Sequence, residues 1–207
     1  MDNQQRQNLS ARSIAPIWSV VRPRALQIFF AATVLPFGLA GQLHGAPSSG
    51  QPYTVKFSDV DGRTLSTADG HVTILVLTTT EDLTRAHAVG DNVPDYCLGN
   101  ANYRMITVLH FKRRHTQLGR AIAMTLVRHR INEEAKRLQT RYDAMKIARP
   151  ARQDIYVVAD FDGTIAAQLG AQPSATGFHV FVFGRDGELL EQWDDVPRAE
   201  QLAAVVK

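Results

Sequence analysis

Cysteine is nearly absent from this sequence: Cys97 is the only one in 207 residues, so no internal disulfide can form. Whatever compartment the chain occupies, its core must hold it together. One thiol also cannot anchor a zinc site, and His71, His87, His110, His115, His129 and His179 show no His-x-x-x-His spacing. No Gly-rich phosphate loop is present, and Ser58, Ser66 and Ser174 lack the glycines of a nucleophile elbow. No metal and no cofactor is therefore expected.

Acidic residues are scarce in one region. Residues 112 to 152 hold 12 basic side chains and only three acids, Glu133, Glu134 and Asp143, although residues 47 to 207 are balanced at 19 Lys+Arg and 19 Asp+Glu. A basic block inside an acidic framework reports either a partner surface or two parts of one protein facing each other. Aromatic side chains are also rare in the block, which argues against nucleic-acid binding. On the first alternative, Arg128, Arg130, Arg137 and Arg141 are the candidate contacts, and the partner is an acidic protein or an anionic membrane surface. On the second, the same side chains solvate and pair the outer face of a helix packed on the acidic domain.

Long apolar runs are limited to "ALQIFFAATVLPFGLAG". It follows Arg6, Arg12, Arg22 and Arg24, is interrupted by Pro36, and leads through Ala40 into the linker "GAPSSGQP". Basic residues, then a short apolar run, then small residues is the order of an export signal. The run falls short of the roughly 20 residues of a spanning helix. Residues 1–46 are read as a signal peptide or membrane anchor plus linker, and 47–207 as the exported domain, periplasmic or anchored facing outside the cytoplasm.

Within that domain the pattern is mixed α/β. "YTVKFSDVDGRTL" predicts a hairpin about Asp61-Gly62, and "HVTILVLTT" a strand buried on both faces. Leu83, Ala86, Val89, Val93 and Cys97 recur at helical spacing, with Thr80 as the expected N-cap and Pro94 as a kink or early stop. "YRMITVLHF" is a second buried strand. From His115 to Ile147 there is no proline, and no glycine after Gly119. Ala121, Met124, Val127, Ile131, Ala135, Leu138, Tyr142 and Met145 form a helical stripe there. Leu118, Ile122 and Leu126 make a second apolar row, which implies cover on both faces. "IYVVAD" is a third core strand, "GTIAAQLG" a short helix, "FHVFVFGRDGELLEQW" a hairpin about Asp186-Gly187, and "PRAEQLAAVVK" a last helix opening on proline.

"IYVVADFDGTI" resembles the first motif of haloacid-dehalogenase-type phosphatases, which would make Asp160 a nucleophile and Asp162 its proton partner. Only 43 residues follow Thr164, too few for the strands that such an enzyme still needs. Asp59-x-Asp61-Gly62 repeats the pattern elsewhere. Both are expected to be turns.

The whole order from Tyr53 to Lys207 resembles the thioredoxin-like superfamily, in its redoxin branch of peroxiredoxins and membrane-anchored thiol reductases. Three segments carry it: "HVTILVLTTTEDLTRA" after its hairpin, "VVADFDGTIAAQLG", and "HVFVFGRDGELLEQW" with the terminal helix. The resemblance implies a thioredoxin-like three-layer sandwich with an N-terminal β-hairpin, plus a helical insertion at 112–152. It also implies where chemistry would sit, at the end of the first buried strand. That position reads Thr80-Glu81-Asp82-Leu83-Thr84, without the C-x-x-C, and the place of the family's cis-proline is filled by Phe178 or a neighbour. The expectation is thus a non-catalytic binding or scaffold module in the cell envelope. The alternative is a redoxin-type thiol oxidoreductase using Cys97 alone, although a thiol near a helix C-terminus is poorly activated.

Overall fold

The computed structural model describes residues 48–171 and 177–207. The expected leader, its cleavage site near Ala40 and most of the loop after Gly170 lie outside the described residues. The elements are β1 (Lys56–Ser58), β2 (Thr64–Ser66), β3 (Val72–Thr79), α1 (Leu83–Asn92), β4 (Tyr103–His110), α2 (Gln117–Ala144), β5 (Ile155–Asp160), α3 (Thr164–Gln168), β6 (His179–Phe183), β7 (Leu189–Trp193) and α4 (Ala199–Val205). Short 3-10 turns at Asp95–Cys97 and Ala151–Asp154 precede β4 and β5.

The β-branched run of β3 forms the middle of a five-stranded sheet of order β5-β4-β3-β6-β7. It pairs in parallel with β4, from Val72 opposite Tyr103 to Thr79 opposite His110, and antiparallel with β6. Because side chains alternate along a strand, each face of β3 needs its own cover. Leu75 and Leu77 pack with Ile106, Val108, Phe181 and Phe183 beneath the β1–β2 hairpin and α3. Ile74 and Val76 pack with Val180 and Val182 beneath α1, α4 and Cys97. Helices and hairpin on two faces of one sheet make the three layers.

α2 is a single helix of 28 residues whose Thr116 side chain caps it by accepting from the Gly119 N–H. Of its stripe, Val127, Ile131 and Tyr142 are buried, while Met124, Ala135 and Leu138 are only half-buried. Charge completes the attachment. Arg120 pairs with Asp162 and Arg137 with Asp91, Arg141 reaches Asp95 at 2.5 Å, and Arg152 reaches Asp61 at 2.7 Å. Much of the basic block thus faces the acidic framework of its own chain.

Several sequence expectations change. α1 starts at Leu83 with Asp82, not Thr80, in the N-cap position; its end at Asn92 is the early stop expected at Pro94. The last helix starts one residue after its N-cap Arg198, so Pro197 stands outside it. β5, expected as a third core strand, stands at the edge of the sheet. The row Leu118, Ile122 and Leu126 is not covered: these side chains are 73%, 56% and 59% exposed.

Candidate functional site

The turn from β3 into α1 is closed by its own side chains. The Thr79 hydroxyl donates to Asp82 Oδ2 at 3.1 Å and accepts from the Glu81 N–H at 3.3 Å. Glu81 pairs with Lys112 at 2.8 Å, with both groups exposed. Arg85 reaches the Asp195 carboxylate at 2.7 Å and lies 3.6 Å from Asp82. Its guanidinium also sits 4.1 Å above the ring of Phe178. The hydrogen bond from Arg85 is the main cause of lowering of the Asp195 carboxyl below its usual range.

Phe178 itself is completely buried. Next to it, a Cβ on Gly177 would meet Thr79 Cγ2 at 2.7 Å, so only glycine lets this loop approach the end of β3 so closely. The structure therefore brings Asp82 and Phe178 together, bridged by Arg85, which the sequence pattern did not single out. Thr80, Glu81 and Thr84 are exposed and Leu83 is half-buried. The turn holds no sulfur, and its acids disfavour a thiolate at the helix start.

Cys97 is elsewhere. It lies in the 3-10 turn beyond the far end of α1, a helix of ten residues and so roughly 15 Å long. It is 6% exposed among Val93, Ala86 and their neighbours, and burial pushes its thiol up to about 11. Burial rather than the helix dipole is the cause.

The arginines singled out from the sequence have different surroundings. Arg128 donates to the Val60 carbonyl at 2.9 Å, and Arg141 to the Val93 carbonyl at 2.9 Å as well as to Asp95. Arg137 is held by Asp91, with Glu134 3.9 Å away. Arg130 is exposed and has no ion pair among the described residues. It lines a cavity of about 580 Å³ between α1, α2, β4 and β5. The sequence carried no clear signal of this cavity, because a stripe of apolar residues does not say how closely a helix approaches its sheet. Among the described residues no cluster of His, Cys, Asp and Glu could hold a metal ion, and no helix is long and apolar enough to cross a membrane.

No family model and no curated protein matches the sequence. Solved structures do. The C-terminal domain of a protein described as a thiol-disulfide oxidoreductase from Bacteroides thetaiotaomicron superposes with a TM-score of 0.50 at 10% identity, over 76% of this chain and 92% of that one. The exposed lipoprotein thioredoxin Etrx1 of Streptococcus pneumoniae gives 0.48 at 13% identity, over 74% and 97%. A secreted thiol-disulfide isomerase from Corynebacterium glutamicum gives 0.48 at 9%, over 75% and 83%. The fold is thioredoxin-like, and at such identities the likeness speaks of fold alone.

Proposed function

We propose that the chain is an exported thioredoxin-like domain without dithiol chemistry, acting as a binding or scaffold module in the cell envelope. The observation that carries this is the turn at Thr80-Glu81-Asp82-Leu83-Thr84: it holds no sulfur, and the lone thiol is buried beyond the other end of α1. A raised thiol pKa also weighs against the redoxin alternative, since the thiolate is the nucleophile. The purified protein is expected to leave insulin disulfides intact. Reduction that disappears in Cys97→Ser would overturn the reading. Alkylation of Cys97 in the folded protein should be slow at pH 8, where a thiol of this pKa is ionised to about one part in a thousand, and should rise up to pH 11.

Export rests on the basic, apolar and small-residue order of residues 1–46. Mass spectrometry of protein from the native host tests it. An intact chain in the soluble cytoplasm refutes export, whereas an intact chain in the membrane fraction identifies an anchor.

The partner surface is assigned to the first half of α2 and the segment before it. Leu118, Ile122 and Leu126 stand exposed in one row, no acid occurs from Gln117 to Asn132, and Arg113 and Arg114 are exposed without an ion pair among the described residues. An apolar ridge flanked by bases suits an anionic membrane surface. Arg128, Arg137 and Arg141, expected as contacts from the sequence, already bond within the chain, and Arg113 and Arg114 are proposed in their place. Changing Arg113 and Arg114 to Gln should weaken binding to anionic vesicles more than tenfold at low salt, at about 1 kcal/mol for each charge. The melting temperature should not change. Equal sedimentation of the variant with vesicles would refute the assignment.

A further inference from the structure

The cavity between α1 and α2 has a definite shape. Its floor is one face of β4, where Tyr103, Met105, Thr107 and Leu109 all line it. At about 3.3 Å per residue those positions span about 20 Å. A volume of about 580 Å³ spread over that length makes a slot rather than a bowl. Tyr103, Met105 and Thr107 are only half-buried, whereas Ile106 and Val108, on the other face of the same strand, are fully buried. From Tyr103 to Thr107, β4 is therefore sealed on one face and underfilled on the other, whereas Leu109 further along is buried. At Gly90 the α1 wall leaves room for about one methyl group: an added Cβ would meet the Met105 side chain at 3.8 Å, van der Waals contact. The opposite wall, from α2, sets Val127, Ile131 and Leu138 beside the charged Arg130, Glu133, Glu134, Arg137 and Arg141.

The roof is a seam of paired charges. Arg141 is tied to Asp95, Arg137 to Asp91, and Glu134 lies 3.7 Å from His87. Each step back along α2 thus meets a residue further towards the start of α1, so the helices run antiparallel. Continuing the sequence places Arg130 level with the first turn of α1, where it and Leu83 both line the slot. Arg130 is the member of this row with no ion pair among the described residues.

We infer that the slot binds a single-chain anionic amphiphile of the fatty-acid type, with the hydrocarbon along β4 and the carboxylate at Arg130. The length favours a chain over a compact ring system. An unpaired guanidinium beside an apolar channel favours an anionic head over a neutral or cationic one. An extended peptide does not suit the slot, because β4 lies inside the sheet and has no free edge to hydrogen-bond. This inference rests on the reading of the domain as a binding module and is independent of the membrane-facing ridge.

The test uses the purified full chain and dodecanoate below its micellising concentration, with dodecanol as the neutral probe. Dodecanoate should bind saturably at one site, raise the melting temperature, and shield Cys97, which also lines the slot, from an apolar alkylating reagent. Arg130→Gln should weaken dodecanoate about tenfold and leave dodecanol unchanged. Leu138→Trp, which fills the slot, should abolish both. If that variant fails to fold, shielding of Cys97 in the unaltered protein decides. Absence of saturable binding, or binding without shielding of Cys97, overturns the inference. Insulin reduction dependent on Cys97 would remove the proposed function and leave a measured slot occupancy standing; a dry slot with no reductase activity would do the reverse.

Discussion

Residues 59–62 and 160–163 share the spelling Asp-x-Asp-Gly and make turns of different kinds. In the first, Asp59 joins β1 to β2: Oδ1 accepts from the N–H groups of Asp61 at 3.0 Å and Arg63 at 2.8 Å, and Arg63 Nε closes on Oδ2 at 2.5 Å. In the second, Asp160 ends β5 and its oxygens accept from the N–H groups of Ile165 at 3.3 Å and Ala166 at 3.0 Å, in the first turn of α3. The leading aspartate is buried in both, 6% and 3% exposed. The second aspartate in both holds an arginine from the basic block, Asp61 with Arg152 and Asp162 with Arg120. Both glycines are left-handed, at φ 83° and 71°. An acid pair at this spacing thus organises a turn with one carboxylate and clamps a neighbouring segment with the other. Proton transfer is not required to explain it.

The comparison can be broken at each position. The largest effect is expected for Asp160→Ala, which strands two amides, one in a fully buried bond, and should cost about 3 kcal/mol in urea unfolding. Asp59→Ala should cost about 2 kcal/mol, because water can reach the turn amides that it leaves. The reverse order would show that the Arg63 pair, not the amide burial, governs these sites.

The glycines should separate next. Gly62 has nothing within 4 Å of an added Cβ, so Gly62→Ala meets only the left-handed strain, about 1 kcal/mol. At Gly163 the Cβ would lie 3.2 Å from His110 Cε1, and Gly163→Ala should cost about 2 kcal/mol. In a His110→Ala background the two glycine effects should become equal. Persistence of the gap would exclude the histidine ring as its cause.

The smallest effects belong to the outer aspartates. Asp61→Asn and Asp162→Asn each remove one solvent-accessible ion pair, and each should cost about 0.5 kcal/mol or less. That loss should vanish in 1 M salt, where screening acts within about 3 Å. A loss that survives high salt would mean that these carboxylates serve the turns and not the clamp.

The sheet was legible because β3, β4 and β6 are rich in apolar, β-branched or aromatic residues and bounded by turns, and Asp-Gly marked both hairpins. The edge position of β5 was not, since Val157 and Val158 read alike whether one neighbour strand or two is present. The charge imbalance raised the right pair of alternatives. Only geometry could show Arg137 and Arg141 turned onto Asp91 and Asp95. Leu118, Ile122 and Leu126 show the same limit, because periodicity names a row without naming what lies against it. At the turn into α1 the sequence marked the loop and Phe178, but Arg85 joins them through contacts far apart in the chain.

The attachment of α2 has a consequence for how the molecule breathes. A helix held by three buried side chains and a row of accessible charge pairs, over an interior left partly unfilled, is expected to open as a unit of its own. Its central amides should exchange with deuterium together, through an opening that leaves the sheet intact. Salt should speed that exchange, whereas the amides of β3 should wait for global unfolding and respond to salt much less.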